Sequence, residues 1–178
     1  MTTALGSKCP EFRLPGTDGK THELGDFRGK LLVVIVSCNH CPYVVAYEER
    51  MVSLAREYQR RGVDFVAINA NDASRYPEDG MPKMVERAAQ RGFPFPYLRD
   101  DPQSVVRALG ARFTPEVFVF DGPDARTLRY RGRIDDNHRD VSRVTTHDLR
   151  NALEALLSGV SPSVPETIPV GCSVKWKG

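Results

Sequence analysis

The run Leu31-Leu32-Val33-Val34-Ile35-Val36 is apolar at every position rather than at every second one. A strand with one wet face alternates, so an unbroken run of this kind belongs in the middle of a sheet covered on both sides. It leads straight into Cys38-Asn39-His40-Cys41. After that pair Val44, Tyr47, Met51, Leu54, Ala55 and Tyr58 recur at three- and four-residue intervals up to Gly62, the pattern of an amphipathic helix ending at a favourable glycine. Residues 63–69, "VDFVAIN", read as the next strand, which gives strand, helix and strand with a right-handed crossover.

The remaining elements follow from turn and cap chemistry. Residues 10–30 carry Pro15-Gly16, Asp18-Gly19 and Gly29 around short apolar pieces, a hairpin-like lead-in. Pro82 suits an early helical position for a helix running to about Gln90, with Gly92 beyond it. "FPFPYLRD" is a short extended piece, and Asp101-Pro102 is expected to cap a short helix through Val105, Val106 and Leu109, stopped by Gly110. "EVFVFD", residues 116–121, and residues 128–132 read as two strands joined by the turn "DGPDA". Thr145 or Thr146 is expected to cap a last helix whose apolar stripe is Leu149, Ala152, Leu153, Leu156 and Leu157. The chain reads as one domain, 1–178, with 159–178 as a Ser- and Pro-rich tail closing in "GCSVKWKG".

Composition excludes more than it assigns. A net charge of +2 with interspersed signs lacks the concentrated basic face of a nucleic-acid binder. No run approaches the roughly 18 to 20 apolar residues needed to span a bilayer, and "MTTALGSKCPEFRLPG" has no basic stretch leading into an apolar one. The expectation is therefore a cytoplasmic protein, without nucleic-acid or membrane partners, as monomer or homodimer. In that compartment four cysteines are reactive, metal-binding or simply buried rather than a disulfide framework.

Cys38 and Cys41 are spaced for chemistry. If Cys38 caps the helix and Cys41 lies one turn in, the two side chains are neighbours and a small adjustment closes a disulfide. Cys38 would then face unpaired N–H groups and the positive end of the helix dipole, and would be the more acidic thiol. Asn39 and His40 complete the ring, and a protonated His40 beside Cys38 would favour the reduced form. A reduction potential less negative than the roughly −270 mV of thioredoxin is expected, with two linked thiol titrations. Inert buried cysteines, or a structural disulfide, are the alternatives. A zinc site is disfavoured because His40 is poorly spaced as a third ligand and no second CxxC follows.

The order strand, CxxC, helix, strand, with Thr114-Pro115 just before "EVFVFD", resembles the thioredoxin fold. "CPEFRLPGTDGKTHELGDFRGKLLVVIVSCNHCPYV" resembles the opening of its redoxin branch, which holds peroxiredoxin-like (alkyl hydroperoxide reductase/thiol-specific antioxidant) and thioredoxin-like reductase proteins. With "YRGRIDDN" and "GCSVKWK" the likeness narrows to a bacterial subgroup of that branch. The resemblance implies a three-layer α/β/α fold with a central mixed sheet and an N-terminal hairpin extension. It implies an exposed nucleophile at Cys38, a resolving thiol at Cys41, and a cis Pro115 that leaves the Thr114 backbone free to bind an extended substrate. No metal or organic cofactor is implied. The partners would be a protein or small-molecule disulfide and a thiol electron donor of unknown identity.

Departures from the family pattern matter equally. A thioredoxin has Trp before the first cysteine, Gly-Pro within the pair and a buried Asp six residues upstream; here stand Ser37, Asn39-His40 and Leu32. The peroxiredoxin signature Pro-x-x-x-Thr-x-x-Cys is also missing: counting back from Cys41 gives Cys38 and Val34, and from Cys38 gives Ile35 and Leu31. Thiol–disulfide exchange is thus the leading function, with a thiol peroxidase and a non-catalytic redox sensor as alternatives. Cys172 is a candidate third redox thiol visiting Cys38, or else packs beside Trp176, while Cys9 is expected to be buried. Asp135 and Asp136 either border the active face or form a solvated turn.

Overall fold

The computed structural model describes residues 3–178. Leu31–Val36 is the central strand β3, and each of its six residues is buried. Consecutive side chains of a strand point to opposite faces, so the unbroken apolar run feeds two cores. Leu31, Val33 and Ile35 pack with Val44, Tyr47, Met51 and Tyr58, while Leu32, Val34 and Val36 pack with Phe12, Leu14, Val106 and Leu109.

The hairpin strands β1 (Arg13–Pro15) and β2 (Thr21–Glu23) pair antiparallel ahead of β3. Helix α1 (Pro42–Gln59) leads to β4 (Val63–Asn69), then α2 (Met81–Arg91), β5 (Tyr97–Arg99) and α3 (Ser104–Leu109). After the two-residue strand β6 (Phe113–Thr114) come β7 (Glu116–Asp121), β8 (Thr127–Gly132), α4 (Asp148–Leu157) and β9 (Cys172–Ser173). The main sheet runs β5-β4-β3-β7-β8, parallel from β5 to β3 and antiparallel from β3 to β8. Apolar residues of α1, α2 and α4 cover one face, and those of α3, the hairpin and the tail cover the other. This is the expected three-layer α/β/α arrangement on a mixed sheet.

Local chemistry moved three caps. Helix α1 begins one turn later than expected: Cys41, not Cys38, is its N-cap residue and Pro42 follows it. Proline needs no N–H partner at a helix start, whereas Cys38 to His40 are held outside by other bonds described below. The N-cap residue of the short helix α3 is Gln103, and Asp100 rather than Asp101 serves its first turn, Oδ2 accepting from Val106 N at 2.9 Å. His147 is the N-cap residue of α4, because Thr145 is engaged by Asp136 through its backbone N and hydroxyl. Helix α2 matches its expected span and closes on Gly92 with φ 59°, a left-handed value that favours glycine.

The tail is built into the sheet. It runs beside β8, where Arg131 N donates to Pro165 O at 3.1 Å and Thr167 N donates to Arg131 O at 3.0 Å. It then adds β9 to β6, with Thr114 opposite Cys172. A Cβ on Gly171 would lie 2.2 Å from the Thr114 carbonyl oxygen, so only glycine lets the tail approach so closely. Gly171→Ala should lower stability by about 1–3 kcal/mol, as overpacking does elsewhere. A denaturant midpoint unchanged from wild type would contradict that fit.

Candidate redox site

β3 delivers Cys38 to the end of the sheet and α1 carries Cys41 at its cap, so both thiols sit against β6 and the Thr114-Pro115 peptide, which is cis. Cys38 Sγ lies 3.4 Å from Thr114 Oγ1, and Cys41 S–H donates to the Thr114 carbonyl at 3.3 Å. Cys38, Cys41, Thr114 and Pro115 therefore converge as expected, though both sulfurs are deeper than an exposed nucleophile would be. Cys38 is 2% exposed and Cys41 is fully buried.

The expected asymmetry between the thiols is reversed in the reduced protein. A hydrogen bond to Cys41, then burial and the Asp79 charge, hold Cys38 far above the ordinary thiol range. The same Cys38 bond, with further help from Cys172 and the Val44 N–H, holds Cys41 well below it. Cap position explains the exchange of roles, since the first free N–H groups of α1 face Cys41. The two sulfurs act as one coupled acid. With the proton on Cys38, its S–H donates to a Cys41 thiolate. With the proton on Cys41, that S–H meets the Thr114 carbonyl and the Thr114 hydroxyl turns to a Cys38 thiolate.

The residues between the cysteines are fixed by Asp79, a fully buried carboxylate in the loop between β4 and α2 that sequence reasoning missed. Its Oδ1 accepts from Asn39 N at 2.6 Å and Asn69 Nδ2 at 3.1 Å; its Oδ2 accepts from Asn71 Nδ2 at 3.0 Å and from His40 Nδ1. Asn39 Oδ1 in turn accepts from Tyr97 OH at 2.9 Å, and Tyr76 stacks on His40 with centroids 5.0 Å apart. His40 thus faces a compensating carboxylate. The Asp79 charge opposes a thiolate at Cys38. In "PEDG" nothing in the sequence separates this buried acid from a solvated turn.

Cys38, His40 and Asp79 are also the group of metal-ligand residue types that comes together among the described residues, with atoms within 4.8 Å of one another. Their donor chemistry does not suit a cation. Asp79 accepts four hydrogen bonds, which uses all the lone-pair sites a carboxylate offers.

Other candidates separate clearly. Cys172 Sγ lies by Cys41, on the α1 side of the sheet, and not against Trp176, which instead stacks on Arg107 at 4.3 Å. The Thr114 backbone, expected free for substrate, is paired with the tail. Cys9 is buried in the opposite core, and burial pushes its thiol up to about 12. Asp135 is buried and bound to Arg50 Nη1 at 2.6 Å, a structural pair rather than a rim. A polar cleft of about 180 Å³ beside Asn39 and His40 is lined also by Glu78, Lys83, Glu86 and Arg87. A more apolar cleft between Arg50, Leu54, Val141 and Arg150 holds no thiol.

Residues 4–149 match the Redoxin family, and the chain belongs to it. A thiol-disulfide oxidoreductase ResA of Geobacillus thermodenitrificans is 32% identical over 123 residues, covering 66% of this chain and 64% of that protein. The match thus spans less than two thirds of that curated relative. The crystal structure of an uncharacterized conserved protein from Geobacillus kaustophilus superposes with a TM-score of 0.91 at 39% identity, covering 98% of this chain and 93% of that one. A hypothetical protein of Sinorhizobium meliloti 1021 does so with a TM-score of 0.92 at 34% identity, covering 100% and 97%. No described helix is long and apolar enough to cross a membrane.

Proposed function

We propose that this redoxin is a thiol-disulfide oxidoreductase working through Cys38 and Cys41. The observation that carries the reading is the pair of neighbouring thiols that both lie against Thr114. The ResA relative's name agrees with it. Cys38, with half-buried Asn39 and His40 on its open side, attacks a substrate disulfide while the proton of the pair rests on Cys41. Once Cys38 is in the mixed disulfide it no longer competes, and Cys41 at its helix cap yields the proton and resolves. The substrate would be a protein or small-molecule disulfide, with electrons restored by an external thiol donor.

Replacing Cys41 by Ser should stop the cycle at the mixed disulfide and trap substrate on Cys38. Equal trapping by Cys38→Ser would reverse the roles. The peroxidase alternative requires a cysteine sulfenic acid and rapid hydroperoxide consumption, which a stopped-flow assay measures. Consumption matching the rate of disulfide exchange would favour it.

The titration has a defined sign. Thiolate absorbance of the reduced protein should show one thiolate persisting well below the ordinary thiol range, and a second only at strongly alkaline pH. In that lower window the folded protein binds fewer protons than the unfolded chain. Its stability there rises with pH, and is lost as pH falls through the depressed value. Above the ordinary thiol value the sign reverses, because Cys38 keeps a proton the unfolded chain has given up. Two independent titrations near 8.5, the value of a free thiol, would refute the coupling. A stabilised monothiolate also keeps the potential less negative than roughly −270 mV, now through the Cys41 cap rather than His40.

A further inference from the structure

The three thiols on the α1 side of the sheet form a row. Cys38 and Cys41 both lie against Thr114, Cys172 stands opposite Thr114 in the β6–β9 pair and packs on the cluster that holds the other two, and of the three only Cys172 is more than marginally open to solvent. We propose that Cys172 is a third redox thiol that takes the disulfide from Cys38–Cys41, forms a Cys41–Cys172 bridge and presents it to the external donor. This rests on the exchange reading above and adds a separate exit for the oxidising equivalents.

The tail is mounted as though its register mattered. Thr114 stands opposite Cys172, and Val174 N donates to Arg112 O at 3.0 Å. Lys175 N donates to Asn71 Oδ1 at 2.8 Å, while the Lys175 carbonyl accepts from Asp72 N at 2.8 Å and from buried Gln103 Nε2 at 3.0 Å. Lys177 N donates to Gln103 Oε1 at 2.9 Å. Ordering each tail residue costs backbone entropy, which these bonds and the burial of Val174 must offset. Asn71 holds Lys175 with one atom and Asp79 with the other, so the same side chain positions the tail and the loop of the CxxC motif. Gly171 allows the approach to Thr114 that puts Cys172 beside Cys41.

The chemistry balances without another reagent. After substrate reduction the protein holds a Cys38–Cys41 disulfide. The Cys172 thiolate attacks Cys41 Sγ, so the Cys41–Cys172 bond forms and the Cys38–Cys41 bond breaks. Cys38 leaves as thiolate and takes up the proton Cys172 released. An external dithiol then attacks the sulfur of half-buried Cys172 and expels Cys41. The donor's second thiol closes its own disulfide, returning Cys172 and Cys41 to the reduced state. Burial, then the bond to Cys41, hold the Cys172 thiol up to about 11 while the protein is reduced. The Cys41 contribution vanishes once Cys41 enters a disulfide, and the Lys175 charge then favours the attacking thiolate.

The test uses the full chain equilibrated with glutathione disulfide, acid-quenched, alkylated and digested with trypsin. Residues 31–50, holding Cys38 and Cys41, and residues 151–175, holding Cys172, are separate tryptic peptides. Cys38→Ser should join the two peptides through Cys41–Cys172, while Cys172→Ser should close Cys38–Cys41 within the first. Re-reduction of oxidised Cys172→Ser by dithiothreitol should be about tenfold slower than wild type, since the sulfurs left are sealed and access limits exchange. Peptides that never join in Cys38→Ser, with Cys172 recovered alkylated or glutathionylated, would overturn the proposal, as would an unchanged re-reduction rate. A Cys172→Ser variant unable to close Cys38–Cys41 would instead defeat the underlying exchange reading.

Discussion

Cys38→Ser should abolish turnover of a disulfide substrate, with a loss on the order of 10⁴-fold or more, because the remaining Cys41 thiolate is fully buried and does not reach the substrate face. Serine is nearly the size of cysteine, and its hydroxyl can keep the contact with Thr114 Oγ1, so folding should be retained. Unfolding free energies of the two proteins from denaturant titration should agree within about 1 kcal/mol, the net scale of one hydrogen bond. A variant that retains a tenth of the activity would remove Cys38 from the mechanism. A variant that loses activity only by unfolding would show a shifted midpoint, which separates the two outcomes.

Asp79→Ala should produce the largest loss of stability of any single change near the site. The carboxylate is fully buried and accepts four hydrogen bonds, from Asn39 N, Asn69, Asn71 and His40. Removing it takes the carboxylate acceptor from four buried or half-buried donors, of which Asn69 keeps a bond to Tyr97 OH, and breaking a buried charged network of this kind costs about 3–5 kcal/mol. Asn39 and His40 would also lose their anchor, so the CxxC loop would loosen and the coupling of the two thiol titrations would weaken. Asp79→Asn keeps the shape but turns an amide NH₂ toward at least one donor, and should fall between wild type and Asp79→Ala. A change below 1 kcal/mol with unaltered titrations would mean that Asp79 does not hold the loop.

The sheet was legible because its signals were local or nearly so. An apolar run with no alternation could only be a central strand, and β3 does divide its six residues between two cores. Helix α2 was legible because Pro82 and Gly92 mark its two ends. What escaped the sequence depends on contacts far apart along the chain. The start of α1 was misplaced because Asn39 and His40 are pulled away by Asp79, some forty residues later. With Cys41 at the cap, the helix terminus expected at Cys38 faces Cys41 instead. The tail looked like a loose extension because a two-residue strand such as β9 has no periodicity to read. Its role emerges only from the pairing of Cys172 with Thr114 and from the space Gly171 leaves. Asp135 was ambiguous between rim and turn because its partner, Arg50, lies on α1.

Burial is the severest constraint on the mechanism, since a reactive pair with 2% and 0% exposure must still reach a substrate. The most direct measurement is the loss of free thiols in the reduced protein mixed with glutathione disulfide at neutral pH, compared with a Cys38→Ser/Cys41→Ser double variant. Exchange at this pair requires two thiols to disappear together in wild type, with a Cys38–Cys41 or Cys41–Cys172 bridge as product, and neither to form in the double variant. A wild type that keeps all four thiols free, or that reacts no faster than the double variant, would contradict it.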